Sequence, residues 1–202
     1  MRTIDFEQRS PEWFAARLGI PTASNFAKLI TPTGKPCASA DGYINELAAE
    51  RITGKRVDIY VNEAMQRGTD LEPEARSFFE FVTNFTVDEA PLCLHDTLDA
   101  GASPDGFCGN ALLEIKCPSG STQVEYLRAG ILPPKYIPQV QGQLWITGKV
   151  SAYFISYHPD FKPLIIQVER DEDFIYKLEN EVIKALAKIK QFMEFKNDGS
   201  LL

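Results

Sequence analysis

Asp105, Glu114 and Lys116 are the residues whose types and spacing could do chemistry. They lie in residues 103–118, SPDGFCGNALLEIKCP. Ser-Pro-Asp-Gly and Cys-Gly-Asn are rich in turn formers. The apolar run 111–117 has the length and composition of a strand, so the stretch reads as a β-hairpin. Side chains alternate along a strand. Glu114 and Lys116 therefore share one face, and Leu113, Ile115 and Cys117 share the other. The hairpin can bring Asp105 beside Glu114. Two carboxylates and an ammonium around one point suit a hard divalent cation, Mg²⁺ or Mn²⁺. The lysine would orient and help deprotonate a water, or stabilise charge on a phosphate. A buried salt bridge needs the same residues, but a buried Glu–Lys pair is costly without a purpose.

The rest of the chain must position these groups. With 202 residues it is long enough for a substantial core. A single domain over residues 1–202 is expected, with N-terminal helices at about 10–84, a sheet core at about 85–170 and a C-terminal helix at about 171–195. No apolar run approaches membrane-spanning length, and Met1-Arg2-Thr3-Ile4-Asp5 does not open a signal peptide. The expected address is the cytoplasm, with no membrane contact. Cys37, Cys93, Cys108 and Cys117 show no CxxC spacing, so neither zinc nor a disulfide framework is indicated; they read as reduced and mostly packed. Net charge is −7, which weighs mildly against a nucleic-acid binder. Residues 1–67 nonetheless hold nine Lys/Arg against eight Asp/Glu, leaving twelve against twenty in the remainder. A polyanion would meet the N-terminal third and the active-site cleft.

In chain order, Ser10-Pro11-Glu12 starts a helix as N-cap, first-turn proline and acid near the positive end. It runs to about Leu18 and stops at Gly19. Thr22 or Ser24 caps a second short helix from Asn25 to Ile30. Those hydroxyls, with Arg17 close in sequence, make an anion site, although capping alone also explains them. Lys35 sits at the tip of loop 31–38, free to reach a phosphate. Residues 40–53 form an amphipathic helix with Tyr43, Ile44, Leu47, Ala48 and Ile52 inward. Asn62 caps the next helix, whose core residues are Leu71, Ala75, Phe78, Phe79 and Val82, and Pro73 is expected to open a new turn within it. Glu72, one turn from Gly68, could add a metal carboxylate. Met65, two residues before Arg67, either packs in the core or wedges between terminal bases. Residues 85–89 and 91–95 read as short strands, followed by a loop with Asp96 and Asp99. Helices follow at 120–130 and 134–148; Gln139 and Gln143 are i,i+4 neighbours on one face. Strands at 150–157 and 163–169 precede a long helix at 171–195, with Phe174, Leu178, Val182, Ile183, Leu186, Ile189 and Phe192 on one face. Helices before, between and after a strand cluster mean an α/β sandwich with a mixed sheet.

Five motifs in order carry a family resemblance: Arg17-x-Gly19-Ile-x-Thr22-Ala23-Ser24, Gly68-x-x-x-Glu72, Ser103-Pro104-Asp105-Gly106, Leu113-Glu114-Ile115-Lys116-Cys117-Pro118 and Gln139-Val140-Gln141. Over about residues 8–173 the chain resembles the phage lambda-type alkaline exonucleases, also called YqaJ-type viral recombinase nucleases, of the PD-(D/E)xK superfamily. The resemblance implies a restriction-endonuclease-like α/β core with a mixed central sheet flanked by helices. It implies Asp105, Glu114 and the Ile115 carbonyl as ligands of one or two Mg²⁺ ions, with Mn²⁺ able to substitute. Lys116 would position or activate the attacking water, Gln139 would complete the site, and Glu72 would be an accessory acid. Asp96 falls where the family keeps another acid. Arg17 and Ser24, with Thr22 beside them, resemble a 5′-phosphate pocket. The implied activity is 5′→3′ degradation of linear duplex DNA to 3′ single strands, by a ring-shaped trimer working beside a strand-annealing protein. A restriction- or resolvase-type endonuclease, and a binding module with a decayed site, are the competing readings.

Overall fold

Ala111–Lys116 is a strand covered on both faces. Ala111, Leu113 and Ile115 face a core with Ala75, Phe79, Val87 and Tyr157. Leu112 faces the other way, among Val140, Leu144, Ala152 and Phe154. A strand buried on both faces has to be nearly all apolar, and the one face that carries Glu114 is the face that α-helical amides cover.

The computed structural model describes residues 1–56 and 63–196. The chain begins with β1 (Arg2–Ile4), α1 (Pro11–Ala16), a 3₁₀ helix (Ala23–Lys28), α2 (Ala40–Thr53) and α3 (Glu63–Thr83). Next come β2 (Leu92–Leu94), β3 (Gly101–Ala102), β4 (Gly106–Cys108) and β5 (Ala111–Lys116). The last part holds α4 (Gly120–Ala129), α5 (Ile137–Thr147), β6 (Ser151–Ser156), β7 (Leu164–Glu169) and α6 (Glu172–Phe192). The strands form a four-stranded sheet, β4-β5-β6-β7, and a three-stranded sheet, β1-β2-β3. In the first, β5 and β6 are parallel and the outer pairs antiparallel. Parallel neighbours need a crossover, and α4 and α5 supply it.

One layer is α3 against the Leu113 face of β5. On the other side α5 packs against the sheet, and α2, α6 and the 3₁₀ helix pack around α5. This is the mixed α/β sandwich the pattern implies. Ser10 caps α1, its Oγ accepting from the Trp13 N–H at 3.1 Å. Asp171 caps α6 in the same way through Phe174.

Several expectations are corrected. The strands divide into two sheets rather than one. Residues 85–89 form only the bridge Asp88–Phe107, not a strand. β1 and β3 carry too few residues to show alternation, and exist because β2 pairs with both. Residues 25–30 do not form an α-helix; the 3₁₀ helix starts at Ala23 and ends at Lys28. α3 runs unbroken through Pro73. Val82 and Ile183 are exposed, because α3 and α6 each bury a narrower stripe than their apolar content suggests. The cap expected at Asn62 lies outside the described residues. All four cysteines are free, two of them buried. Among the described residues no helix is long and apolar enough to cross a membrane.

Gly142 sets how closely α5 approaches the 3₁₀ helix. A Cβ there would lie 2.2 Å from Phe26 Cδ2, and Phe26 is fully buried. Gly142→Ala gains about 1 kcal/mol of helix propensity but overpacks a closed core, at roughly 1–3 kcal/mol. The expected outcome is a melting temperature lower by a few degrees; differential scanning calorimetry showing a rise would mean that Phe26 yields.

Candidate active site

The β4–β5 hairpin places Asp105 across from Ile115. The Asp105 backbone N–H donates to the Leu113 carbonyl at 3.0 Å, and the Ile115 N–H donates to Asp105 Oδ2 at 2.6 Å. Arg76 of α3 donates to the Asp105 carbonyl. The aspartate is therefore fixed by strand backbone on one side and a helix guanidinium on the other. Glu114 is 1% exposed. Gln139 and Lys116 both donate to its Oε1 at 2.5 Å, and Gln143 donates to its Oε2 at 2.6 Å. The i,i+4 spacing on α5 thus clamps both carboxylate oxygens with amides one turn apart.

The electrostatics follow from burial. Desolvation, then the neighbouring Glu114, holds the Asp105 carboxyl well above its ordinary range against the opposing pull of Lys116. Burial works against the Lys116 charge, but Glu114 and Asp105 outweigh it and hold the ammonium above its ordinary pKa. Lys116 is therefore a permanent cation here. That favours orienting and charge stabilisation over proton abstraction for this side chain. Lys116 pairs with Glu114 at 2.5 Å and acts on Asp105 only through its field; with both carboxylates ionised, the pair would exceed that one ammonium by one negative charge.

The residues fit a divalent cation. Among the described residues no hydrogen bond is made to Asp105 Oδ1, and a cation would offset the charge that its ionisation beside Glu114 creates. Among the described residues no group of three or more His, Cys, Asp or Glu gathers around one point. The two carboxylates present, Asp105 and Glu114, are the kind of donor set Mg²⁺ takes, since it is commonly held by one or two carboxylates and completes its shell with waters and phosphate oxygens. Asp105, Glu114 and the Ile115 carbonyl would hold it.

Asp105, Ile115 and Lys116 line a cleft of about 660 Å³, with Glu114 buried behind them. Among the described residues, Arg9, Arg67, Lys116 and Lys135 line the cleft against two acids, Glu72 and Asp105, so this part of its wall is cationic although the chain is acidic. On α3 the lining residues Met65, Gly68, Thr69 and Glu72, with Arg76 a turn further on, follow the 3.6-residue period. Met65 is 47% exposed on this wall rather than in the core. Glu72 lines the cleft, with its carboxylate paired to Arg9 at 2.7 Å.

Arg17 sits at the end of α1, its guanidinium 4.0 Å over the Trp13 ring. It donates to Ser103 Oγ at 2.7 Å, Ser24 Oγ at 3.4 Å and Thr22 Oγ1 at 3.5 Å. Neither Glu12 nor Glu72 pairs with it, and among the described residues no carboxylate forms an ion pair with it. Burial pulls its pKa down to about 10; it stays cationic at neutral pH. Thr22 is the N-cap residue of the 3₁₀ helix but makes no capping bond. The hydroxyls are turned to Arg17 instead. Ser103 lies two residues before Asp105, so this cation is tied to the same hairpin.

Two expected site residues lie elsewhere. Asp96 is 64% exposed and pairs with the amino terminus at 2.6 Å; it belongs to the β2–β3 loop of the other sheet, outside the cleft lining. Lys35 is exposed on a loop that packs beside Lys177 of α6, also outside the cleft. Sequence reasoning missed Arg9, Arg76, Lys135 and Ser103, and left Gln143 without a role. The polar stripe on α3 was readable from spacing. Arg9 carried no such signal: it adopts φ +71°, a left-handed conformation costing a non-glycine residue about 1–3 kcal/mol. Its half-exposed ion pair returns roughly 0.2–1 kcal/mol.

The family model of the YqaJ-like viral recombinase domain matches residues 12–150. The chain belongs to this family, the lambda-type exonucleases. It is a nuclease of that type, acting on DNA. The alkaline exonuclease of Laribacter hongkongensis is 39% identical, with a TM-score of 0.84, over 92% of this chain and 95% of that one. The same exonuclease in complex with dAMP matches at 38% identity and a TM-score of 0.86, over 95% and 98%. A phage-related exonuclease from Haemophilus somnus 129PT, at 17% identity and a TM-score of 0.67 over 87% and 95%, shares the fold. No curated protein sequence matches. The sheet of this YqaJ-family nuclease is accordingly a restriction-endonuclease-like core.

The raised pKa of Asp105 sets a pH test. A folded pKa above the unfolded value means that the folded state binds more protons, so stability falls as pH rises. The cost is absent below the ordinary value of 3.8 and grows from there up through the folded pKa. Asp105→Asn removes the titration. In EDTA, its melting temperature should match wild type near pH 4 and exceed it as pH rises, by a margin that grows until the folded pKa is passed. A constant offset across that range would refute the burial of an ionising carboxylate.

Proposed function

We propose that this nuclease is a metal-dependent 5′→3′ exonuclease that degrades one strand of linear duplex DNA and leaves 3′ single-stranded ends for phage-type recombination. The observation that carries the reading is Arg17. It is a mostly desolvated cation that stacks on Trp13 and, among the described residues, donates to hydroxyls and to no carboxylate, anchored through Ser103 to the hairpin that carries Asp105. A terminal phosphate monoester carries more charge than an internal diester, and a guanidinium fork ringed by hydroxyls favours it. An internal-cleaving endonuclease has no use for such a pocket beside its carboxylates. The complex of the Laribacter hongkongensis exonuclease with dAMP supports a nucleotide product.

In this reading Arg17, Ser24, Thr22 and Ser103 hold the 5′-phosphate and draw the strand forward after each cut. Asp105, Glu114 and the Ile115 carbonyl hold Mg²⁺, with Mn²⁺ able to substitute. When bound, the metal lowers the pKa of a water and offsets charge on the phosphate and leaving oxygen. Gln139 and Gln143 keep Glu114 from rotating away. Lys116 orients the attacking water and stabilises the charge that develops on the phosphate. Met65, exposed on the α3 wall, wedges against the terminal bases. A trimeric ring threading the DNA, a strand-annealing partner and a bacterial cytoplasmic setting complete the proposal.

With Mg²⁺ present, linear duplex DNA should be consumed and covalently closed circles spared, as read on gels. Cutting of circles would favour the endonuclease instead. Lys116→Gln retains a hydrogen-bond donor to buried Glu114 while removing the cation. It should lower the rate by about 10²–10³-fold with Mg²⁺ affinity largely kept; near-normal turnover would remove Lys116 from the chemistry. Arg17→Ala should slow digestion of 5′-phosphorylated ends by roughly ten- to a hundredfold, and of 5′-hydroxyl ends far less. If wild type and variant show the same phosphate-to-hydroxyl rate ratio, the pocket is not at Arg17.

A further inference from the structure

Arg9 is held in a conformation that its own interactions do not explain. Its backbone φ of +71° belongs to the region that glycine adopts freely and that side-chain-bearing residues avoid. The neighbours hold it there. Gln8 Nε2 donates to the carbonyls of Pro104 at 3.0 Å and Ala90 at 3.4 Å, and the Ser10 N–H closes a turn onto the Glu7 carbonyl at 3.0 Å. The strained residue is thus held next to the Pro104–Asp105 turn through its neighbour Gln8. Its side chain is half exposed and lines the cleft that holds Asp105, Ile115 and Lys116. Among the described residues its one hydrogen-bond partner is Glu72, reached through a single guanidinium nitrogen. The remaining donors of the fork stay uncommitted. A half-exposed ion pair does not repay a strained backbone, and strain that persists in a wall of an active site points to a use there.

We propose that Arg9 is a phosphate-binding subsite of the cleft, separate from Arg17, with its guanidinium parked on Glu72 until a DNA phosphate takes its place. This rests on the reading of the protein as a DNA nuclease and adds a residue and an exchange to it. Arg17 has hydroxyl partners and is ready for an anion. Arg9 has an acidic partner and must trade it. The trade is between two negatively charged groups of similar geometry, so it conserves the charge pairing of the guanidinium. It also frees the Glu72 carboxylate on the same wall of the cleft, at the moment DNA arrives. Arg67, whose guanidinium donates to the Cys117 carbonyl at 3.1 Å, stands beside the same opening, so the displaced pair lies in a locally cationic wall.

The test is equilibrium binding of a short 5′-phosphorylated duplex to the Lys116→Gln protein with Mg²⁺, between 50 and 200 mM salt, about the range over which phosphate contacts dominate the salt dependence. Adding Arg9→Gly or Arg9→Gln should lower the slope of log K against log salt by about one, the loss of one phosphate contact, and Arg9→Lys should restore most of it. Arg9→Gly should also melt no lower than its parent, because glycine relieves the backbone. Unchanged slopes in both variants would overturn the proposal, and a lower melting temperature with an unchanged slope would make the Arg9–Glu72 pair purely structural. If the Lys116→Gln parent binds no duplex at all, the nuclease reading itself fails. That result is distinct from a parent that binds with a normal slope which Arg9 does not affect.

Discussion

The structure depends on two neighbouring carboxylates, Asp105 and Glu114, with one ammonium, paired to Glu114, in a place with little water. Removing a charge from water costs several kcal/mol even after relaxation, so each group must be met by a donor in fixed position. Backbone meets Asp105, through the Ile115 N–H. Side chains meet Glu114, through Lys116, Gln139 and Gln143. That division dictates the architecture. The hairpin must close tightly enough for β5 backbone to reach Asp105. α5 must lie over the Glu114 face with two amides one turn apart. Gly142, on the same helix, lets α5 come in close enough against Phe26.

The rest of the described cleft lining is cationic. An acidic chain keeps its local field positive by placing Arg9, Arg67, Lys116 and Lys135 around one opening, and by leaving exposed acids such as Asp96 and Asp99 on other surfaces. Net charge therefore says little about partners here; the sign of the wall facing the carboxylates says more. Arg17 and Arg9 show two ways of keeping an arginine near a reacting phosphate. One is surrounded by hydroxyls and accepts the loss of hydration. The other is held by a carboxylate and accepts backbone strain.

Legibility of the fold tracks the range of the interactions. α2 and α6 were readable because one helix face repeats its apolar residues within the chain itself. The β4–β5 hairpin was readable because turn residues flank a short, mostly apolar run of strand length. The Asp105, Glu114 and Lys116 grouping followed from that local geometry, and Gln139 and Gln143 were visible as a pair on one face of α5. The loss of a strand at residues 85–89, and the existence of β1 and β3, were not readable. Such short segments become strands only when a partner far away in sequence supplies hydrogen bonds.

By itself, then, the sequence determined which residue types meet at the hairpin, which helices are amphipathic and which family's motifs stand in order. Each of these is a matter of spacing along the chain, and backbone periodicity converts spacing into a shared face. Only the tertiary structure decided that Gln143 holds the second oxygen of Glu114, that Ser103 rather than an acid meets Arg17, that Asp96 pairs with the amino terminus, and that Arg9 reaches Glu72 across 63 positions. Those contacts join segments distant in sequence. Their geometry is set by how α3, α5 and the two sheets pack, and packing depends on shapes summed over the whole core rather than on any local pattern.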